Sequence, residues 1–201
     1  LLKSAQDVTI NASVVSVAGN ITLDAGNDLA VNASVTTGGT GTVYLTSGND
    51  TTIDSALTTL SGDLLVDAGS NLTQNSLITS TVGDVGLIAG GSLDQASSGD
   101  VTTGGDVLLE AGSDWTMSSG TEITATGNVS GQALSGDLTL GLIDAADAGL
   151  IASGNIIDAN AGSLNVSADN LSLVAEGGLI GSDDASNGTP DQNVNAIDIQ
   201  A

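Results

Sequence analysis

The stretch GNITLDAGND, residues 19–28, is written again as GTVYLTSGND at 41–50, GDLLVDAGSN at 62–71, GDVGLIAGGS at 83–92 and GDVLLEAGSD at 105–114. Within each copy the apolar residues alternate: Ile21, Leu23 and Ala25, then Leu64, Val66 and Ala68, then Val107, Leu109 and Ala111. A period of two places alternate side chains on one face of a strand, so each copy predicts a strand with one buried face. The leading glycines Gly19, Gly41, Gly62, Gly83, Gly105 and Gly127 recur every 21 or 22 residues, the spacing of a solenoid in which each unit is one turn.

Working outward from the phrase, the rest of each unit also repeats. A second short strand follows the glycine, at Leu29 and Val31, at Thr51 and Ile53, and at Trp115 and Met117. An aliphatic-threonine pair marks a third: Val35-Thr36, Leu57-Thr58, Ile78-Thr79, Val101-Thr102 and Ile123-Thr124. Three short strands per turn, joined at Gly and Asn corners, predict an all-β chain folded as a right-handed, three-sided parallel β-helix with about 21–22 residues per turn. Leucine-rich repeats and calcium-binding β-rolls need L-x-x-L-x-L-x-x-N or G-G-x-G-x-D phrases, which are absent. Stacking selects like upon like, with Gly26, Gly48, Gly69, Gly90 and Gly112 expected at corners of positive φ. Asn27-Asp28, Asn49-Asp50 and Ser113-Asp114 are expected to bond the backbone of their own turn and to form ladders along the rod.

Regular turns are expected over residues 1–126. Over 127–201 the β-helix is expected to continue with longer, irregular turns and a loop at 182–194, which holds the only proline, Pro190. About nine turns make a rod on the order of 40 Å at one strand spacing per turn. Neither LLKSAQDVTI nor NAIDIQA reads as a polar cap, so the expected partners are flanking repeats or neighbouring copies stacked end to end.

Composition narrows the function. The chain of 201 residues has one Trp, one Tyr and no Phe, so its core is thin and aliphatic. It carries 24 acids against one base, Lys3, a formal net charge of −23. Without a basic surface it cannot neutralise phosphates, which argues against nucleic acid and anionic membranes as partners. No apolar run reaches the ~18 residues of a membrane span, so no membrane insertion is expected. With no Cys and no His, thiolate sites and the usual nucleophile–base pairs are excluded.

The phrases GNITLDAGNDL, GDVLLEAGSDW, SGNIIDANAGSLNVSADNLSLVAEGGLIG and NAIDIQA resemble the repeat regions of filamentous-haemagglutinin-type exoproteins, the large secreted adhesins of bacterial two-partner secretion and related giant surface proteins. The resemblance spans almost the whole chain. It implies a right-handed parallel β-helix shaft at or beyond the cell surface, with a role in adhesion, biofilm or fibre formation and a host, cell-surface or matrix receptor as partner.

Ion binding and catalysis are the chemical alternatives to this structural role. Asp63, Asp84 and Asp106 hold the same place in consecutive turns. At about 4.8 Å apart they would repel by about 0.9 kcal/mol per pair in water, which a bridging calcium ion would relieve. The opposing expectation is that each caps a backbone N–H. Asp183, Asp184 and Asp191 in the 182–194 loop form a second calcium candidate. No other cofactor and no catalysis are expected: a polysaccharide-acting enzyme could draw on Asp144 with Asp147 or Asp183 with Asp184, but no aromatic platform lies beside them. The column Thr36, Thr58, Thr79, Thr102 and Thr124 is expected to stabilise one sheet face by cross-strand pairing. Trp115 is expected to point inward, filling a wider layer, and Tyr44 outward.

Overall fold

The computed structural model describes residues 1–181 and 197–200. The described chain is a β-solenoid of about eight turns with about 22 residues per turn and no helix. Each turn visits three sheets in the same order. Ile21–Ala25 lies in the first sheet, Leu29–Val31 in the second and Val35–Thr37 in the third; Val43–Ser47 then returns to the first. Among the described residues the sheets hold nine, eight and nine strands, and all pairings between these strands are parallel. They run through the predicted boundary at residue 126 without a break, so 1–126 and the later turns form one solenoid.

The predicted alternation is the burial pattern. In Ile21–Ala25, Val43–Ser47, Leu64–Ala68 and Val85–Ala89 the first, third and fifth side chains are buried and the second and fourth are not. Register then stacks like on like: Leu23 over Leu45, Val66, Leu87 and Leu109, and Ala68 over Ala89, Ala111 and Ala133. The small column, which also includes Ala25 and Ser47, lies at the last inward position of these first-sheet strands. Each fully buried leucine is worth roughly 1.5–3 kcal/mol, so an aliphatic column is the main source of cohesion between turns.

The threonine column is as expected: Thr36, Thr58, Thr79, Thr102 and Thr124 pair in series on the outer face of the third sheet. Trp115 is fully buried and Tyr44 points outward, half-buried between Thr22 and Leu65. The indole occupies space left by Gly131 in the following turn, where a Cβ would lie 2.2 Å from Cζ3.

Three expectations about corners and turns are corrected. First, Gly26, Gly48, Gly69, Gly90 and Gly112 do not have positive φ; among the described glycines only Gly39, Gly120, Gly162 and Gly181 do. The corner glycines are needed because backbones stack there without room for a side chain. A Cβ on Gly48 would lie 2.2 Å from the carbonyl oxygen of Gly26, and one on Gly112 would lie 2.0 Å from that of Gly90. Second, the corner residues do form ladders along the rod, but Asp28, Asp50 and Asp114 accept N–H bonds from the next turn rather than their own, and Asn27 Nδ2 donates back to Gln6 of the preceding turn. Third, the later turns are not uniformly longer. Asp137 reaches its counterpart Asn155 in 18 residues and Asp147 reaches Asn170 in 23. Asn165 meets Asp198 across 33. That last interval contains the predicted loop 182–194, which lies outside the described residues.

Candidate functional site

Two polar ladders run along the solenoid, and the calcium candidates stand in one of them. At the corner entering the first sheet, the Asp84 N–H donates to Asp63 Oδ1 at 3.0 Å and the Asp106 N–H to Asp84 Oδ1 at 2.8 Å. The Asn128 N–H donates to Asp106 Oδ1 at 2.7 Å, and Asn20 serves Thr42 in the same way at 3.0 Å. At the corner entering the second sheet the Asp50 N–H donates to Asp28 Oδ1, Asn71 to Asp50, Asp137 to Asp114 and Asn155 to Asp137. The strand direction changes at these positions, so a side-chain oxygen takes an N–H that the regular ladder leaves free. A charge-assisted bond of this kind contributes about 1.5–3 kcal/mol when well shielded, and less at these exposed corners. Much of the chain's acidity therefore sits where turns are tied together.

Asp63, Asp84 and Asp106 are all exposed. Only Oδ1 of each takes part in these bonds, which leaves the stacked row with outward charge. Among the described residues no three acidic side chains converge on one point in a way that could hold a metal ion. Asp183, Asp184 and Asp191 lie outside the described residues. Asp144 and Asp147 are brought to no common site: Asp144 stacks on Thr124 in the third sheet, whereas Asp147 opens a strand of the first and bonds Asn170 Nδ2.

The outward face of the first sheet is recessed beside this row. A groove of about 490 Å³ follows the Asp63–Asp84–Asp106 row, floored by Leu65, Gly86 and Leu108. Beyond Asn128 and Ser130 a second depression continues along Asp147 and Gly149.

The polar residues that sequence reasoning missed are interior. Trp115 Nε1 donates to Gln95 Oε1 at 2.8 Å, Gln95 Nε2 donates to Gln74 Oε1 at 2.9 Å, and Gln74 Nε2 donates to the Asp100 carbonyl at 2.9 Å. This chain of bonds crosses three turns inside the core. Thr37, Thr59, Ser80 and Thr103 form an inward hydroxyl column, of which Thr37, Ser80 and Thr103 donate to glycine carbonyls. Asn165, fully buried, bonds Leu140 and Gly141 carbonyls, Asp158 Oδ1 and the Asp198 N–H. Their only signal in the sequence is a polar residue at an inward position of the strand period, as at Gln74 and Gln95.

No family model, curated protein or solved structure matches this chain. The class of protein is defined here by the fold alone, a three-sheet parallel β-solenoid.

Proposed function

We propose that this chain is a structural shaft or fibre segment of a secreted or cell-surface bacterial adhesin or extracellular filament, without a catalytic role. The observation that carries the reading is continuity. Side-chain columns, corner glycines and polar ladders repeat from turn to turn along the solenoid, so the architecture serves extension rather than the convergence of unlike groups. The strands Leu2–Ser4, Val8–Ile10 and Val14–Ser16 each have one unpaired edge among the described residues, which supports a flanking repeat or a neighbouring copy stacked upon them. The resemblance to filamentous-haemagglutinin-type repeats points the same way. The test is immunogold labelling of intact producing cells with antibody against the folded segment. Label on surface filaments is expected, and label confined to the cell interior would overturn the proposal.

The stacked row of exposed carboxylates at Asp63, Asp84 and Asp106 favours a second reading, a calcium-dependent adhesive or matrix protein. Thermal melting with calcium and with chelator separates the two. A rise of several degrees supports the calcium reading, and coincident melting curves reject it.

A further inference from the structure

The groove on the first sheet is not used by the shaft reading. Gly86 creates it. Leucines stand on either side of Gly86 in the outward column, at Leu65 and Leu108. The end of Leu65 leans over the gap, so that a Cβ on Gly86 would lie 2.8 Å from Leu65 Cδ1. Leu108 remains 43% exposed beside the carboxylate row.

An apolar floor of about three rungs therefore lies against a line of negative charge that repeats once per strand spacing, about 4.8 Å. The chain's single base does not compensate it, because Lys3 belongs to the edge strand of the sheet and is paired with Asp24. A second copy of this chain, with 24 acids of its own, is repelled from the row. The complementary ligand is a thin apolar stem carrying positive charges at the rung spacing. Same-facing side chains of an extended peptide recur at about 6.6 Å and miss it. Ammonium groups separated by three methylenes recur at about 5 Å, given bond lengths near 1.5 Å, and meet it. We infer that the groove binds a linear aliphatic polyamine, its ammonium groups on Asp63, Asp84 and Asp106 and its methylenes over Leu65, Gly86 and Leu108.

Amide NMR titration of the folded chain with norspermidine, whose neighbouring ammonium groups are each separated by three methylenes, tests this. Saturable shifts are expected at Asp84, Gly86 and Asp106. The apparent Kd should rise about tenfold or more, at least 1.4 kcal/mol, both in the triple variant Asp63→Asn/Asp84→Asn/Asp106→Asn and in Gly86→Leu. Asparagine keeps the Oδ1 acceptor, as Asn20 already does in this column, so the triple variant retains the corner bonds. A matched variant, Asp28→Asn/Asp50→Asn/Asp114→Asn, removes equal charge from the other ladder and should leave binding near wild type. Equal weakening in both triple variants would reduce the effect to general attraction and overturn the proposal. So would unchanged binding in Gly86→Leu when its circular-dichroism spectrum matches that of the wild type. Calcium in place of norspermidine should be indifferent to Gly86→Leu, which separates this site from the calcium reading; surface labelling tests the shaft independently.

Discussion

The Cβ that Gly131 lacks would stand 2.2 Å from Cζ3 of Trp115, so glycine and indole share one place in the core. Their neighbours in the two columns are ordinary aliphatics: Leu109 and Leu150 flank Gly131, and Leu93 and Leu138 flank Trp115. The pair should therefore behave as one unit. Gly131→Leu alone is expected to cost about 3 kcal/mol or more by overpacking, and Trp115→Leu alone a comparable amount through the cavity. The double variant should recover at least about 1 kcal/mol relative to the sum, as contacting residues do. Urea denaturation of the four proteins measures the coupling; additivity within error would show that the ring does not depend on the missing side chain.

Gln95 accepts from Trp115 and donates to Gln74 entirely out of water. Gln95→Leu keeps the volume but strands the indole N–H and the Gln74 Oε1, at about 1–3 kcal/mol for each orphaned group. Gln95→Leu combined with Trp115→Leu removes the indole donor and should be less destabilised than Gln95→Leu alone relative to its own Trp115→Leu parent. Chemical denaturation decides this, and equal penalties in both backgrounds would contradict the bond.

Thr59 Oγ1 is buried with no hydrogen-bond partner among the described residues, whereas Thr37 Oγ1 donates to the Gly41 carbonyl at 2.7 Å. Valine is nearly the same shape as threonine. Thr59→Val should be neutral or stabilising by up to about 1 kcal/mol, while Thr37→Val should cost about 1 kcal/mol, because only the second loses a bond. Paired melting curves with shifts of the same sign and size would reject the distinction.

Corner glycines and positive-φ glycines should respond differently to alanine. Gly112→Ala drives a methyl to 2.0 Å from the Gly90 carbonyl oxygen and must spread two turns. Gly120 has φ of 89° and nothing within 4 Å of an added Cβ, so Gly120→Ala costs only the backbone conformation, about 1–2 kcal/mol. Gly112→Ala should be the more destabilised by circular-dichroism melting; the reverse order would mean that corner φ, not stacking, selects glycine there.

The repeat itself was legible because stacking demands like upon like. A column such as Leu23, Leu45, Val66, Leu87 and Leu109 writes a period of 21 or 22 residues into the chain, and the alternation inside each phrase tells which side faces in. The three strands per turn, the outward threonines and the placement of Asp63, Asp84 and Asp106 in one column follow from the same periodicity. Composition added the thin aliphatic core and the one-sided charge.

Tertiary structure decided what lies one turn away. GNITLDAGND closes with a glycine whose reason is not its own φ but the backbone below it: a Cβ on Gly26 would lie 2.4 Å from the Ala5 carbonyl oxygen, 21 residues earlier. Asp28 likewise serves Asp50 rather than its own corner. The pairing of Trp115 with Gly131, the buried run from Trp115 through Gln95 to Gln74, and the groove opened by Gly86 are of the same kind. A sequence period reports that turns are alike, and these contacts are made by the positions where successive turns differ, whose consequences depend on which atoms the stacking brings within reach.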